Sequence, residues 1–135
     1  MWCIHDKAMT DKLRRRFRGK TTLKLWKAWR STSDDYLTPL IFANHRVLGA
    51  GWVRSNRRTQ EPEQDCSDRG RYIQHGIHVY TSRAIARREA AYRWNARVVP
   101  VTCYLKDLVA ADRESAVFMK VWLAKADFDK AVTGG

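Results

Sequence analysis

The sequence predicts an α+β fold in which a mixed or mainly antiparallel sheet is covered by one or two helices. Several stretches alternate apolar and polar residues with a period of two, which is typical of strands, and turn residues separate them. A stretch near the N-terminus has the four-residue apolar spacing of a helix. Hydrophobic residues make up 44% of the 135 residues, enough to close a core, and the length fits one domain over residues 1–135.

The first element is predicted to be a basic helix within residues 1–20. Met9, Leu13 and Phe17 recur every four positions and form a narrow apolar stripe that can dock on a core. Gly19 follows the last apolar residue, where glycine commonly ends a helix. The cations of this segment are therefore expected to face solvent.

From Thr21 the apolar period changes to two, which predicts a strand with aromatic residues on both faces. Such a strand is expected to be central or covered. One face carries Leu23, Leu25 and Trp29, and the other carries Lys24, Trp26, Ala28 and Arg30.

Three weaker elements follow this strand. Pro39 predicts a short edge strand, because proline donates no ladder hydrogen bond. Gly49 and Gly51 indicate a bent strand or strand pair. Residues 56–70 have no apolar period and are predicted to be a long surface loop.

The C-terminal half begins with a predicted strand over 71–80, broken at Gly76. A helix is predicted over 81–95, with Thr81 or Ser82 as its N-cap. Two further strands are expected, "ARVVPVTCYL" and a continuous "SAVFMKVWLA", with a turn-rich connection, "KDLVAADRE", between them.

The charge balance is the strongest indication of function. The chain carries 26 Lys and Arg against 14 Asp and Glu, a net charge of +12. Residues 1–60 account for +10 of it, with 14 cations and 4 acids. An anionic partner is therefore expected, and nucleic acid or a ribonucleoprotein complex is the predicted partner.

The candidate binding residues are cations, several of them interleaved with Trp26, Trp29 and Trp52. Guanidinium and ammonium groups neutralise phosphates, and unpaired bases can stack on aromatic rings, although any one tryptophan is more often a core residue. The predicted set is Lys12, Arg14, Arg15, Arg16, Arg18, Lys20, Lys24, Lys27, Arg30, Arg54, Arg57 and Arg58.

Other site classes have less support. No P-loop, G-x-G-x-x-G or G-x-S-x-G pattern occurs. His75 and His78 lie three apart and Cys66 precedes them, a spacing unlike that of zinc sites, so no metal and no cofactor are predicted. Three cysteines at wide spacing indicate a reducing compartment, and no apolar run is long enough for a membrane span. A cytoplasmic protein without a membrane partner is expected.

The segment "GIHVYTSRAIARREAAYRWNARVVPVTCYL", within residues 70–124, resembles part of ADP-ribosyltransferase-like domains: a short aromatic strand, a Ser/Thr turn, an alanine-rich helix and a core strand. It is also similar to small uncharacterised phage and prophage proteins. The first resemblance implies a transferase that uses Arg30, His78, Ser82 and Glu114, with Arg30 at the NAD-binding position. Glu114 lacks the family's accompanying Gln/Glu-x-Glu pattern.

These observations lead to three hypotheses, of which a binding protein without catalytic residues is preferred. Similarity to phage proteins makes its specific form a phage-encoded inhibitor of a host defence system, comparable to an anti-CRISPR protein. The alternatives are an ADP-ribosyltransferase-like enzyme and a structural component of a virion or nucleoprotein.

Overall fold

The computed structural model describes residues 7–31, 37–39, 47–54, 64–65, 71–72 and 76–133. The predicted α+β class is confirmed, and every strand pairing among these residues is antiparallel. The helices are α1 (Lys7–Phe17), α2 (Arg83–Ala90) and α3 (Lys125–Thr133). The strands are β1 (Thr22–Ser31), β2 (Leu37–Pro39), β3 (Gly51–Arg54), β4 (Gln64–Asp65), β5 (Arg71–Tyr72), β6 (Ile77–Tyr80), β7 (Ala96–Tyr104), β8 (Leu108–Ala111), β9 (Ser115–Phe118) and β10 (Lys120–Leu123).

Helix α1 has the predicted stripe, because Leu13 and Phe17 are buried in the core. It ends where the backbone of Arg18 and Gly19 turns left-handed, with φ of 44° and 80°. The Lys20 N–H donates to the Phe17 carbonyl at 2.8 Å and closes this end.

The main sheet has the strand order β3-β10-β7-β1-β6-β9-β8, and β2 pairs with the far end of β1. Strand β1 is central, as predicted, and pairs with β7 over nine residues. We call the face that carries Leu25 and Trp29 the inner face, because it holds the main core. The face that carries Lys24 and Trp26 is the outer face.

The sheet is strongly curled, because one residue, Met119, joins β9 to β10. Three strands lie between β9 and β10 in the hydrogen-bonded order. A flat sheet would separate them by about 19 Å, at about 4.8 Å per strand, whereas two chain steps span at most about 7.6 Å. Strands β7 and β8 form one arm of a long hairpin, and β9 and β10 form the other arm. Both arms therefore bend at the same level, at the short 3₁₀ turn Leu105–Asp107 and at Met119. The Met119 N–H donates to the Asp107 carbonyl at this bend.

The helices cover the two faces unequally. Phe17 of α1 and Phe128 and Ala131 of α3 join the core of the inner face. Helix α2 lies on the outer face, where its Ala86 packs with Ala28 and Tyr80. The part of the outer face formed by β3, β10 and the end of β7 lies outside this contact.

Several predicted elements differ from the structure. The predicted 106–114 connection contains strand β8, and the predicted continuous strand 115–124 is divided at Met119. Helix α2 ends at Ala90, not near residue 95, and α3 is a third helix that the sequence analysis did not predict.

The predicted loop 56–70 also differs in its described part, because Gln64–Asp65 pairs with Arg71–Tyr72 in a two-residue ladder. The rest of that loop lies outside the described residues. No helix among the described residues is long and apolar enough to span a bilayer.

Candidate nucleic-acid interface

The C-terminal end of α1 forms an open groove of about 1020 Å³. Its walls include Phe17 and Leu105 and six of the predicted cations: Lys12, Arg14, Arg15, Arg16, Arg18 and Lys20. All six cations are exposed. We call this set the basic groove.

The basic groove is oriented by the contacts of α1 with the sheet. The Thr10 hydroxyl accepts a hydrogen bond from the Ala111 N–H at 2.9 Å and donates to the Ala111 carbonyl at 3.1 Å. Leu13 and Phe17 lie in the core on the same side of the helix. The arginines on the other sides therefore remain at the surface.

The groove's cations are not neutralised by neighbouring acids within the described part of the chain. The ion pairs found there are Arg88 with Glu89, Arg88 with Glu114, and Lys125 with Asp129. One groove residue has a structural contact, since the Arg16 guanidinium donates to the Thr81 carbonyl at 3.2 Å.

Lys27 is a correction to the predicted set, because its side chain is buried and only 4% exposed. Its ammonium donates to the His78 carbonyl at 2.7 Å and lies 4.8 Å from the Trp29 ring centroid. Burial lowers the pKa of this amine from its ordinary value of 10.5 to about 7. It does not reach a surface ligand.

The other predicted cations lie away from the basic groove. Lys24 and Arg54 are exposed on the outer face. Arg30 is half-buried near the end of β1, opposite Ala96. Arg57 and Arg58 lie outside the described residues.

The exposed part of the outer face carries an aromatic cluster that the sequence analysis identified only through Trp52. Trp122 lies opposite Trp52 in the β10–β3 ladder, so both side chains leave the same face. The Trp52 ring centroid is 5.3 Å from that of Trp122 and 5.3 Å from that of Tyr104. We call these three residues the aromatic face.

Two lysines beside the aromatic face were missed by the sequence analysis. The Lys120 ammonium lies 4.3 Å from the Trp52 ring centroid, and that of Lys106 lies 6.0 Å from the Tyr104 ring centroid. The alternation of Lys120 and Trp122 along β10 is visible in the sequence. The sequence does not show that these residues lie beside Trp52, because the pairing of β10 with β3 decides which residues are neighbours.

The other two tryptophans that are interleaved with the predicted cations have structural roles. Trp29 is fully buried in the core. Trp26 is half-buried beside α2, and the Arg83 guanidinium lies 5.4 Å from its ring centroid. Of the three tryptophans interleaved with cations, only Trp52 is exposed.

Of the residues implied by the ADP-ribosyltransferase resemblance, Arg30 lies apart from Ser82 and Glu114, which are brought near each other by the hydrogen bond from the Thr81 N–H to the Glu114 carbonyl. Arg30 lies four residues, about 13 Å, beyond the Trp26–Tyr80 pair, on the side away from Glu114. The Ser82 hydroxyl accepts from the Ile85 N–H as the cap of α2. The Glu114 carboxylate is 2.6 Å from the Arg88 guanidinium, and His78 is buried.

Neither a metal centre nor a reactive thiol is formed by the residues in the described ranges. No group of three or more His, Cys, Asp or Glu side chains there could hold a metal ion. Cys103 is buried, and burial raises the pKa of its thiol above the ordinary value, which makes it a poor nucleophile. Cys66 and His75 lie outside the described residues.

No protein-family model, curated protein or solved structure matches the chain.

Proposed function

We propose that the protein binds nucleic acid through the basic groove. The observation that carries this proposal is the gathering of six exposed cations around one groove, with no acid paired to any of them within the described residues. Arginine binds phosphate through a planar fork of donors, and successive phosphates attract successive cations. A net charge of +12 favours association with a polyanion at long range.

A structural explanation of the same arginines exists and is separable by experiment. Arg14, Arg15 and Arg16 occupy the last turn of α1, where cations stabilise the helix by about 0.3–1 kcal/mol each. That explanation predicts that their removal lowers helix stability and leaves ligand binding unaffected. Binding through the groove predicts that their removal also weakens ligand binding.

The groove favours binding with little sequence preference. Its charged residues are arginines and lysines at one helix end, which suit phosphate contacts. Among the described residues that line the basic groove there is no Asn or Gln, the side chains that pair with adenine in a duplex groove.

The biological setting remains the one that the sequence resemblance suggests. A phage-encoded inhibitor that docks on a host ribonucleoprotein would use the same cations as a protein that binds free nucleic acid. The basic groove supports the nucleic-acid contact that both share.

The proposal is tested with an Arg14→Gln, Arg15→Gln and Arg18→Gln variant, which leaves the Arg16 contact to Thr81 in place. We expect the wild-type affinity for a mixed-sequence duplex to fall as salt is added. The slope of log K against log salt concentration should be about −5 if about six phosphates are neutralised. The variant should bind about tenfold or more weakly, and its slope should be reduced by about 2–3. Fluorescence anisotropy over a salt series measures both quantities.

The matched control removes three exposed cations elsewhere, as Arg87→Gln, Arg93→Gln and Lys130→Gln, with the same change of net charge. Its affinity should stay within about threefold of the wild type. Equal losses in the two variants would indicate a general charge effect. If the wild-type protein does not bind the duplex at low salt, the proposal is wrong.

A further inference from the structure

The aromatic face is an unusual surface, because it leaves two large tryptophans partly in water. Trp52 and Trp122 are each 40% exposed although they contact each other. Helix α2 covers a different part of the outer face, around Ala28 and Tyr80. Burial of an aromatic side chain is strongly favourable, so a contiguous exposed cluster indicates a surface that meets a ligand.

The charged side chains that the described residues place on and beside the aromatic face are cations. Lys120 and Lys106 lie against its rings, and Arg54 is opposite Lys120 in the β10–β3 ladder. Lys24 lies on the same face, one strand beyond Thr102, the partner of Trp122. Strands β3, β7 and β10 contain no Asp or Glu. The ligand of this face is therefore expected to be anionic and to offer flat apolar groups.

Unpaired nucleotides have both properties. Bases stack on exposed aromatic side chains of a sheet, while lysines and arginines neutralise the phosphates between them. The bases of a duplex are stacked on each other and cannot use the rings. Lys120 is half-buried and is held over the Trp52 ring by a weak cation–π contact, so its ammonium can exchange the ring for a phosphate.

The aromatic face adjoins the basic groove at one residue. Leu105 lines the groove, and its N–H donates to the Thr21 carbonyl at 3.0 Å. Tyr104 and Lys106 are its immediate neighbours in the chain and belong to the opposite surface. The two surfaces therefore meet at the end of β7.

We infer that the aromatic face stacks the unpaired bases of a single-stranded nucleic acid while Lys106, Lys120 and Arg54 contact its backbone. The inference rests on the proposed function for the polyanion, and it adds the substrate class and a second set of contact residues. It assigns to Trp122 a role that its place in the core sheet does not require, since Val121 and Leu123 on either side fill the core.

The test compares three fluorescent probes: an oligothymidylate of about twelve nucleotides, an abasic strand with the same number of phosphates, and a blunt duplex of about twelve base pairs. We expect the oligothymidylate to bind about tenfold more tightly than the abasic strand, as base stacking on aromatic residues predicts. Trp122→Ala should abolish this preference, and Trp122→Phe should keep most of it. Affinity for the duplex should stay within about twofold in both variants.

A matched control is Trp94→Ala, which removes a tryptophan that is 77% exposed and follows α2. It should leave all three affinities unchanged. Lys120→Gln provides a second variant that does not remove core surface, and it should weaken the oligothymidylate more than the duplex. A preference that survives Trp122→Ala and Lys120→Gln overturns the inference.

The outcomes separate this inference from the proposed function. Loss of duplex and single-strand binding in the groove variant, with no effect of Trp122→Ala, overturns the inference alone. Absence of binding to every probe overturns both. Tight binding to vesicles of phosphatidylserine and phosphatidylcholine that needs Trp122, without any oligothymidylate preference, would assign the face to a membrane surface and overturn the inference.

Discussion

Single residues of this protein have roles that depend on which face of a strand they occupy. Lys27 is the sharpest case, because its neighbours Lys24 and Arg30 are exposed or half-buried while its own amine lies inside. The hydrogen bond to the His78 carbonyl and the Trp29 ring favour the ammonium, and burial opposes it more strongly. Protonation of the Lys27 amine in the folded protein therefore costs stability.

The first prediction concerns Lys27→Met, which shortens the unbranched side chain by one heavy atom and removes the charge. The folded-state pKa of about 7 lies below the ordinary 10.5, so the unfolded chain binds more protons between these values. Wild-type stability should rise with pH from about pH 7, and the advantage of Lys27→Met should shrink by about 1–2 kcal/mol between about pH 7 and pH 8.5. Urea denaturation of both proteins at each pH measures this difference.

The upper end of this pH window is set by a second buried group. Because burial raises the pKa of the Cys103 thiol, thiol ionisation in the unfolded chain lowers wild-type stability above about pH 9. Thiol ionisation affects the wild type and Lys27→Met equally, so it cancels in the difference between their free energies of unfolding. A difference that stays constant from pH 6 to pH 8.5 would contradict a lowered Lys27 pKa.

Among the elements, α1 presents the basic groove and is fastened to the sheet by both polar and apolar contacts. Thr10 satisfies both backbone groups of Ala111 on β8, the last strand of the main sheet. Leu13 and Phe17 supply the apolar contact. The position of the groove therefore depends on a polar contact as well as on the apolar stripe that the sequence displays.

The second prediction is that Thr10→Val lowers the free energy of unfolding by about 2–4 kcal/mol. Valine matches the shape of threonine but leaves the Ala111 N–H and carbonyl without this buried partner, and each such loss costs about 1–3 kcal/mol. Thr10→Ser keeps the hydroxyl and should cost about 1 kcal/mol. Chemical denaturation compares the three proteins, and equal stability of the valine and serine variants would contradict the role of the hydroxyl.

At the scale of the whole molecule, a net charge of +12 acts against compaction. The ion pairs in the described part of the chain are all formed by exposed or partly exposed side chains and contribute little, so salt removes little attraction. Salt does screen the repulsion among the cations of the molecule. Stability should therefore increase with ionic strength.

The third prediction is that Tm rises by about 3–5 °C between about 20 mM and 300 mM NaCl. This rise corresponds to an increase of about 1 kcal/mol in the free energy of unfolding when salt screens the repulsion. The Arg14, Arg15 and Arg18 variant has a lower net charge and should respond less. Thermal melts followed by circular dichroism measure both responses. A Tm that falls with salt would mean that attractive ion pairs outweigh the repulsion.

The sequence by itself determined the α+β class, the central strand β1, the apolar stripe of α1 and the basic character of the exposed side of α1. These follow from local periodicity and charge, which are properties of one element at a time. The same patterns failed for residues 106–114 and 115–124, where short apolar runs are divided between strands by a bend. Short segments of this kind take their conformation from their pairing partners.

Only the tertiary structure decided that Lys27 is buried and that Trp52, Tyr104 and Trp122 meet on one exposed surface. Alternation along a strand assigns residues to a face, but it does not specify which strands become neighbours or which part of a face a helix covers. The curl at Met119 brings β10 between β3 and β7, and α2 covers the other part of the outer face. The aromatic face therefore arises from contacts between residues far apart in the chain, which no local pattern contains.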